Sequence, residues 1–425
     1  MKRTILLGTC SLAALALGTN AGASDTNQTV ELDALVAEAL EKNPELNFYR
    51  AEIAAAKGER VTAGVLPNPE VNGEIGRKRA HEKSGGLAGE GTAWAVSVSQ
   101  PFEFPGRIGL RKAIANRQVE LAEIGYEQFR AALAARVHAL GYRVFAGQTI
   151  AEAAQEVGAR GKELVEVLVQ REPAGVTPLL ETRIIEGTVI VLNRQAIEAT
   201  KNAQVALLEL NQLRGQPVAT PVQIAKTTLK FPPLPAAEEL LAGARTNNFE
   251  LRTRHVELAQ QGFRVELSKN ERWPAVTLSP FYSEEKAGET EKTVGVGVSV
   301  PLPLWNRNGG NVQTAKARLQ QAETSLLLSQ RQVERDVRER ALAYEVQLKE
   351  ISRWRPDAVQ QLREAAELGD RHYRLGSLPV STYVELQEKY LEALEAILET
   401  QAEALEAWQQ LELLTGLPMK GEPEK

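Results

Sequence analysis

Two stretches of the chain repeat each other about two hundred residues apart, so a fold that serves one copy has to serve both. Residues 32 to 54 match 237 to 259 at a constant offset of 205, pairing Leu35 with Leu240, Asn43 with Asn248, Leu46 with Leu251 and Glu52 with Glu257. The offset still holds at Pro69/Pro274 and Val71/Val276. It then falls to 200 at Val96/Val296, Val98/Val298, Pro101/Pro301, Arg107/Arg307 and Ala122/Ala322, because the first copy carries a longer loop. The copies close on Leu213/Leu414, Gly215/Gly416 and Pro217/Pro418. This pattern predicts one continuous architecture: a first repeat over 24–215, a proline-rich strap over 216–236, a second repeat over 237–416 and a tail over 417–425.

Residues 1–23 read as a secretory signal peptide, with Lys2 and Arg3 ahead of an apolar core from Ile5 to Leu17 and the small-residue site Ala21-Gly22-Ala23. The core is too short to span a bilayer as a helix, and no later run of about 18 apolar residues replaces it. Cys10 is the only cysteine, and Thr9 is a poor residue before a lipidated cysteine, so the chain is read as exported and unlipidated. Cleavage after Ala23 would leave neither a disulfide nor a thiolate metal site. It would also move the net charge from −5 to −7, since Lys2 and Arg3 leave with the leader, and this disfavours a nucleic-acid partner.

After a helical segment over Val30 to Ala63 and a Leu-Pro-Asn-Pro turn at 66–69, two segments alternate with period two, about 70–79 and 92–102. Trp94, Val96 and Val98 fall on one face and Ala95, Ser97 and Ser99 on the other. In the second copy Val294, Val296, Val298 and Val300 face one way, Gly295, Gly297 and Ser299 the other, and the partner strand runs about 275–283. The hairpins as a whole are bounded at about 70–102 and 275–303, with His81 to Gly91 and Glu284 to Lys292 as charged, glycine-bearing loops. An apolar face backed by a small or polar one is the lipid-out, lumen-in pattern of a membrane β-barrel, and equally that of a soluble half-covered sheet. Four strands cannot close a barrel, so a membrane sheet here demands several chains.

The remainder of each copy reads as a long helical hairpin, over about 107–215 and 309–416. The outgoing helices, Gly109 to about Val169 and Gly309 to about Gly369, are rich in Ala, Leu, Glu, Gln and Arg, and Pro356 should kink or interrupt the second. Sixty helical residues extend about 90 Å. The turns fall at Pro173 to Pro178 and at Gly376 to Pro379. On the last helix Leu386, Tyr390, Leu394, Ile397, Leu405, Trp408 and Leu411 share a coiled-coil-like stripe, with Gln401 as its one polar step.

No histidine stands at ligand spacing from another or from the cysteine, and no Walker loop, dinucleotide fingerprint or nucleophile elbow occurs, so neither an enzyme nor a cofactor is indicated. Just after the second hairpin tip, Thr382 and Glu385 share a helical face. In a symmetric assembly Glu385 would form a ring of carboxylates, a cation-selective constriction; the plainer reading is that it complements the helix dipole.

The segments SVSQPFEFPGR (97–107), VPLPLWNRNGG (300–310) and YRLGSLPVSTYVELQ (373–387), with the paired endings LRGQP and LTGLP, resemble the TolC-like outer-membrane efflux proteins, most closely their cobalt-zinc-cadmium and copper branch. The resemblance spans the mature chain. It implies a mainly α fold with membrane β: a homotrimer whose twelve strands close one outer-membrane barrel and whose duplicated helical hairpins form an α-barrel tunnel in the periplasm. It also implies a periplasmic adaptor protein and an inner-membrane resistance-nodulation-division (RND) pump as partners, and outer-membrane lipid around Trp94, Val96, Val98, Val294, Val296 and Val298. The tip glycine corresponds to Gly376 beside Pro379, with Gly175 and Pro178 in the first copy. In such proteins acidic residues near the second tip gate the tunnel; Glu385 fits that position and Thr382 departs from it. The expected function is a passive exit duct for heavy-metal cations. A duct for organic compounds and a soluble periplasmic coiled-coil scaffold are the alternatives.

Overall fold

The computed structural model describes residues 29–83, 85–170, 176–226, 229–355 and 357–417. The signal-peptide and Cys10 readings, Gly175, Pro356 and the end of the tail lie outside the described residues. In chain order the elements are β1 (Thr29–Val30), α1 (Leu32–Lys42), α2 (Glu45–Ala63), β2 (Glu70–His81), β3 (Leu87–Phe102), α3 (Arg107–Gln170), α4 (Val176–Leu213) and β4 (Gln223–Ile224). They continue with α5 (Ala237–Asn247), α6 (Phe249–Asn270), β5 (Val276–Ala287), β6 (Glu289–Ser299), α7 (Gly309–Arg353), α8 (Ala358–Arg374) and α9 (Val380–Thr415). No described helix is long and apolar enough to cross a membrane.

The strands β2, β3, β5 and β6 form one antiparallel sheet in that order, both outer strands having a free edge among the described residues. Directly beneath it the helices pack in the order α2–α3–α6–α7, copying the strand order. Farther down, α3 packs along α4 and α9, and α9 along α7 and α8. The core runs down these seams: Leu35, Leu46, Val137, Tyr142 and Leu210 in the first copy, and Leu240, Leu251, Val337, Tyr344 and Leu411 in the second.

The duplication is built in detail. Asn43 has an extended backbone, which the following Pro44 favours, and Asn248 takes the same conformation ahead of Phe249. Its side-chain Nδ2 donates to the Leu213 carbonyl (2.8 Å) and its Oδ1 accepts from the Glu45 amide (2.8 Å). Asn248 does the same to Leu414 (2.9 Å) and Leu251 (3.1 Å). Each copy thus pins its short first helices to the end of its returning helix. Gly215 (φ 66°) and Gly416 (φ 62°) end those returning helices in the left-handed region.

Three expectations need correction, and a fourth is met. The 30–63 segment is two helices, divided at Asn43-Pro44. Most of the described 81–91 and 284–292 stretches is strand, with breaks at residues 82–83, 85–86 and Gly288, and the Glu90 and Glu291 charges that suggested loop instead pair with Arg79 and Lys78 of β2. The interruption expected near Pro356 in the outgoing helix of the second copy falls between Arg353 and Ala358, with Trp354 extended. In the first hairpin α4 starts at Val176, so Pro178 sits in its first turn, where a missing amide costs little.

The strap does more than cross the helices. Gln223 and Ile224 pair in parallel with Thr29 and Val30, Phe231 meets the Trp408 ring edge-on, and Tyr344 donates to the Pro232 carbonyl (2.8 Å). At its start Arg214, only 8% exposed at its side chain, pairs with Glu38. Burial would raise the Glu38 carboxyl, but hydrogen bonds from Gln216, Arg214 and Lys42 outweigh it and hold it below the ordinary carboxylate range. A folded-state value below the unfolded one adds stability at neutral pH that is lost as the pH falls through about 4.3 and below. Acid unfolding of Glu38→Gln should therefore start from a lower stability and show a shallower loss between pH 5 and 3 than wild type, read by circular dichroism.

Candidate membrane sheet and channel tip

The register of the sheet sorts its residues by face. One face carries Val71 and Ile75 from β2, Trp94, Val96 and Val98 from β3, Leu278, Pro280 and Tyr282 from β5, and Val294, Val296 and Val298 from β6. Trp94 and Tyr282 touch across the strands, ring centroids 5.3 Å apart. The three β6 valines are 79%, 65% and 65% exposed, and no described residue covers them. From Phe102 to Trp94 the band, apolar but for Gln100, runs roughly 27 Å along the strand, about 20 Å in height at the tilt of a membrane barrel, where the apolar band is about 25 Å tall. Above it the same face turns charged, with Arg77, Arg79, Glu90, Glu284 and Lys292.

The opposite face is small and polar: Asn72, Ser97, Ser99, Ser279, Gly295 and Gly297. Ser99 and Ser279 share a hydrogen bond of 2.9 Å, and Asn72 donates to Ser99 (3.3 Å). Its one large apolar side chain among the described residues, Phe281, lies over Gly295, where a Cβ would come within 2.8 Å of the ring. Glycine there is the condition for the ring to lie along the wall.

At the far end of the helices, α8 stops in a Schellman turn: the Gly376 amide donates to the Tyr373 carbonyl (2.9 Å), the Ser377 amide to the His372 carbonyl (3.0 Å), and Gly376 takes φ 74°. Pro379, extended, then starts α9. Tyr373 and Tyr383 stack at 5.1 Å within a small core formed with Leu164, Ile185 and Val380, which holds this tip to the first-copy hairpin. Arg374 pairs with Asp370 (2.8 Å) and lies 3.8 Å from Glu163. Burial, aided by Asp370 and opposed by Arg374 and Arg160, pushes the Tyr383 phenol up to about 12. Glu385 is exposed on α9 and Thr382 half-buried one turn earlier. The two share a flank, beside rather than within the Tyr383–Gln387 contact side. Glu388, Glu392, Glu395, Glu399 and Glu403 are all exposed along α9, and Gln401, the polar step of its stripe, accepts from the Tyr142 hydroxyl (2.7 Å). No cluster of three metal-ligating side chains occurs among the described residues.

Sequence reasoning missed the tip partners Tyr373, Asp370, Arg374 and Glu163, and the junction residues Arg107 and Asn270. Asp370 and Arg374 stand at i, i+4, which marks a helical pair; nothing local in the sequence joins Glu163 or Asn270 to them.

Against this geometry stand the comparisons with known proteins. The model of the family described as outer membrane efflux protein matches residues 35–216 and again 240–417. The chain belongs to the outer membrane efflux protein family. Among curated proteins of this kind it is similar to the cobalt-zinc-cadmium resistance protein CzcC of Cupriavidus metallidurans, 26% identical over 303 residues, covering 70% of this chain and 68% of that one. It is also similar to the nickel-cobalt-cadmium resistance protein NccC of Alcaligenes xylosoxydans xylosoxydans, 25% identical over 299 residues, covering 69% and 65%. Among solved structures, the CmeC outer membrane channel of Campylobacter jejuni superposes with a TM-score of 0.72 at 15% identity, over 97% of this chain and 94% of that one. At that identity the likeness shows the fold: long helical hairpins beneath a four-stranded sheet is the architecture of an outer membrane efflux protein.

Proposed function

We propose that the chain is the exit duct of a tripartite efflux system. Three copies close a twelve-stranded barrel in the outer membrane and continue it as a helical tunnel toward a periplasmic adaptor and an inner-membrane RND pump. The observation that carries this reading is the sheet: a face that is apolar apart from Gln100 near its lower end, a small polar face, and two edges free to pair. Four antiparallel strands leave β2 and β6 running in opposite directions, so the β6 of one copy meets the β2 of the next antiparallel and a ring closes without a mismatch. Lower down, exposed Leu180, Ile184, Ile190 and Ile197 on α4 give the ring an apolar flank to bury. The signal-peptide reading of 1–23 supports export, and the names of CzcC and NccC support heavy-metal cations as the cargo. A passive duct selects weakly, so the pump and adaptor set the substrate.

The test is the native mass of the protein extracted by detergent from separated outer membranes. A trimer is expected; a monomer recovered from the soluble periplasm would replace the duct with a scaffold. Within this reading Glu385 forms the acidic ring of the tip. Glu385→Ala should lower the cation preference of single channels in planar bilayers, whereas an unchanged reversal potential in a salt gradient would return Glu385 to a plain helix-end role.

A further inference from the structure

One junction of the sheet with the helices is made inside the chain, and its duplicate is left open. Where the first copy meets the second, the Arg107 guanidinium donates from Nε to Asn270 Oδ1 (3.1 Å) and from Nη2 to the carbonyls of Asn270 (3.3 Å) and Trp273 (2.6 Å). Asn270 answers by donating to the Pro105 carbonyl (2.9 Å), and the Phe104 and Trp273 rings stack at 5.4 Å. The clasp ties the start of α3 to the end of α6, and so fixes β3 beside β5.

The duplication places Arg307 at the position of Arg107, and Val65 and Asn68 at those of Asn270 and Trp273. Arg307 is exposed and makes no hydrogen bond or ion pair among the described residues, while the Val65 and Asn68 carbonyls accept none. The neighbouring apolar residues are equally uncovered: Leu304 is 63% and Trp305 95% exposed at one edge of the sheet, Val65 and Leu66 about half exposed at the other. These two sets cannot meet within one chain, because β2 and β6 are opposite edges and α2 and α7 opposite flanks.

We infer that Arg307 is an inter-subunit clasp: in a second copy of this chain it takes the carbonyls of Val65 and Asn68, as Arg107 takes those of Asn270 and Trp273 within one. Main-chain acceptors are what let the device survive divergence of the copies. The other polar contacts of the α3–α6 seam, Gln260 to Gln118 (3.2 Å) and to the Ile114 carbonyl (3.3 Å) and Arg252 to Glu127 (2.9 Å), map onto Ala55 and onto Asn47 with Leu327, which cannot repeat them. Losing Asn270 Oδ1 to Val65 leaves two of the three Arg107 bonds. Leu304 and Trp305 then cover Val65 and Leu66 at the same seam.

The inference rests on the ring reading proposed above, and its test separates the two. In a Cys10→Ser background, Leu304→Cys with Asn68→Cys is treated with a short bismaleimide in isolated outer membranes, beside Phe104→Cys with Trp273→Cys as an intrachain control. Linked dimers and trimers are expected from the first pair and monomers of altered mobility from the control. Arg307→Ala, otherwise wild type, should dissociate in detergent about tenfold faster, the worth of one charge-assisted hydrogen bond, with the helical content of the chain unchanged. A stable wild-type trimer with no link between positions 68 and 304 would overturn the clasp and keep the ring. A link with unchanged dissociation of Arg307→Ala would bring the junctions together and strike Arg307 from the role. A wild-type protein that is monomeric throughout would overturn both.

Discussion

Val296→Arg should abolish assembly into the outer membrane. Val296 sits mid-strand on β6, opposite Pro280, in the middle of the uncovered apolar face. Lipid around that face would charge about 2–4 kcal/mol for a guanidinium near the bilayer midplane, and a closed ring of copies repeats the penalty in every subunit. Thr293→Arg is the matched control, because Thr293 belongs to the small polar face where water is expected. The measurement is the yield of each variant in purified outer membranes. Equal, normal yields would remove β6 from contact with lipid and favour a covered, soluble sheet.

The second large effect concerns helix ends. Alanine at Gly215, Gly416 or Gly376 must adopt a left-handed backbone, at about 1–2 kcal/mol each. At Gly376 nothing lies within 4 Å of an added Cβ, so the strain is the whole cost. At Gly416 the Cβ would come within 2.4 Å of the Asn247 Cβ, and at Gly215 within 2.6 Å of the Lys42 carbonyl oxygen. Backbone yields less readily than a side chain, and Lys42 adjoins the Asn43 anchor of the first copy. The expected order of destabilisation is Gly215→Ala, then Gly416→Ala, then Gly376→Ala, with the first above about 3 kcal/mol. Thermal unfolding of the detergent-solubilised protein checks the order; equal melting temperatures for Gly215→Ala and Gly376→Ala would remove the contact with Lys42 from the account.

The fold class was legible because its signals are local and occur twice. Alternation at Val294 to Val300 gave the strand, the alanine- and leucine-rich runs gave the long helices, and Gly376 with Pro379 gave the tip. Strand ends were less legible. Glu285 and Glu291 look like loop residues in isolation, and only the fold brings each carboxylate to 2.6 Å from the Lys78 ammonium above the apolar band. The break at Asn43 is written in the following proline, yet the helical period runs through it. The tip is the least legible part, since Tyr373, Asp370 and Glu163 are joined by packing between helices of different copies, which no spacing within one segment reports. Thr382 and Glu385 could be placed on one flank from their spacing, but what that flank faces depends on neighbours outside the chain.

The interruption between α7 and α8 sets the two hairpins apart mechanically. The outgoing rod of the first copy, α3, runs 64 residues without a break, while its counterpart is a 45-residue shaft jointed to a 17-residue arm. That arm is about 26 Å long, so each degree of tilt at the joint carries its far end by about half an ångström. The far end holds Gly376 and leads into the helix bearing Glu385. Leverage is thus concentrated on one hairpin of each chain, and a small adjustment near Trp354 is multiplied where the tip begins.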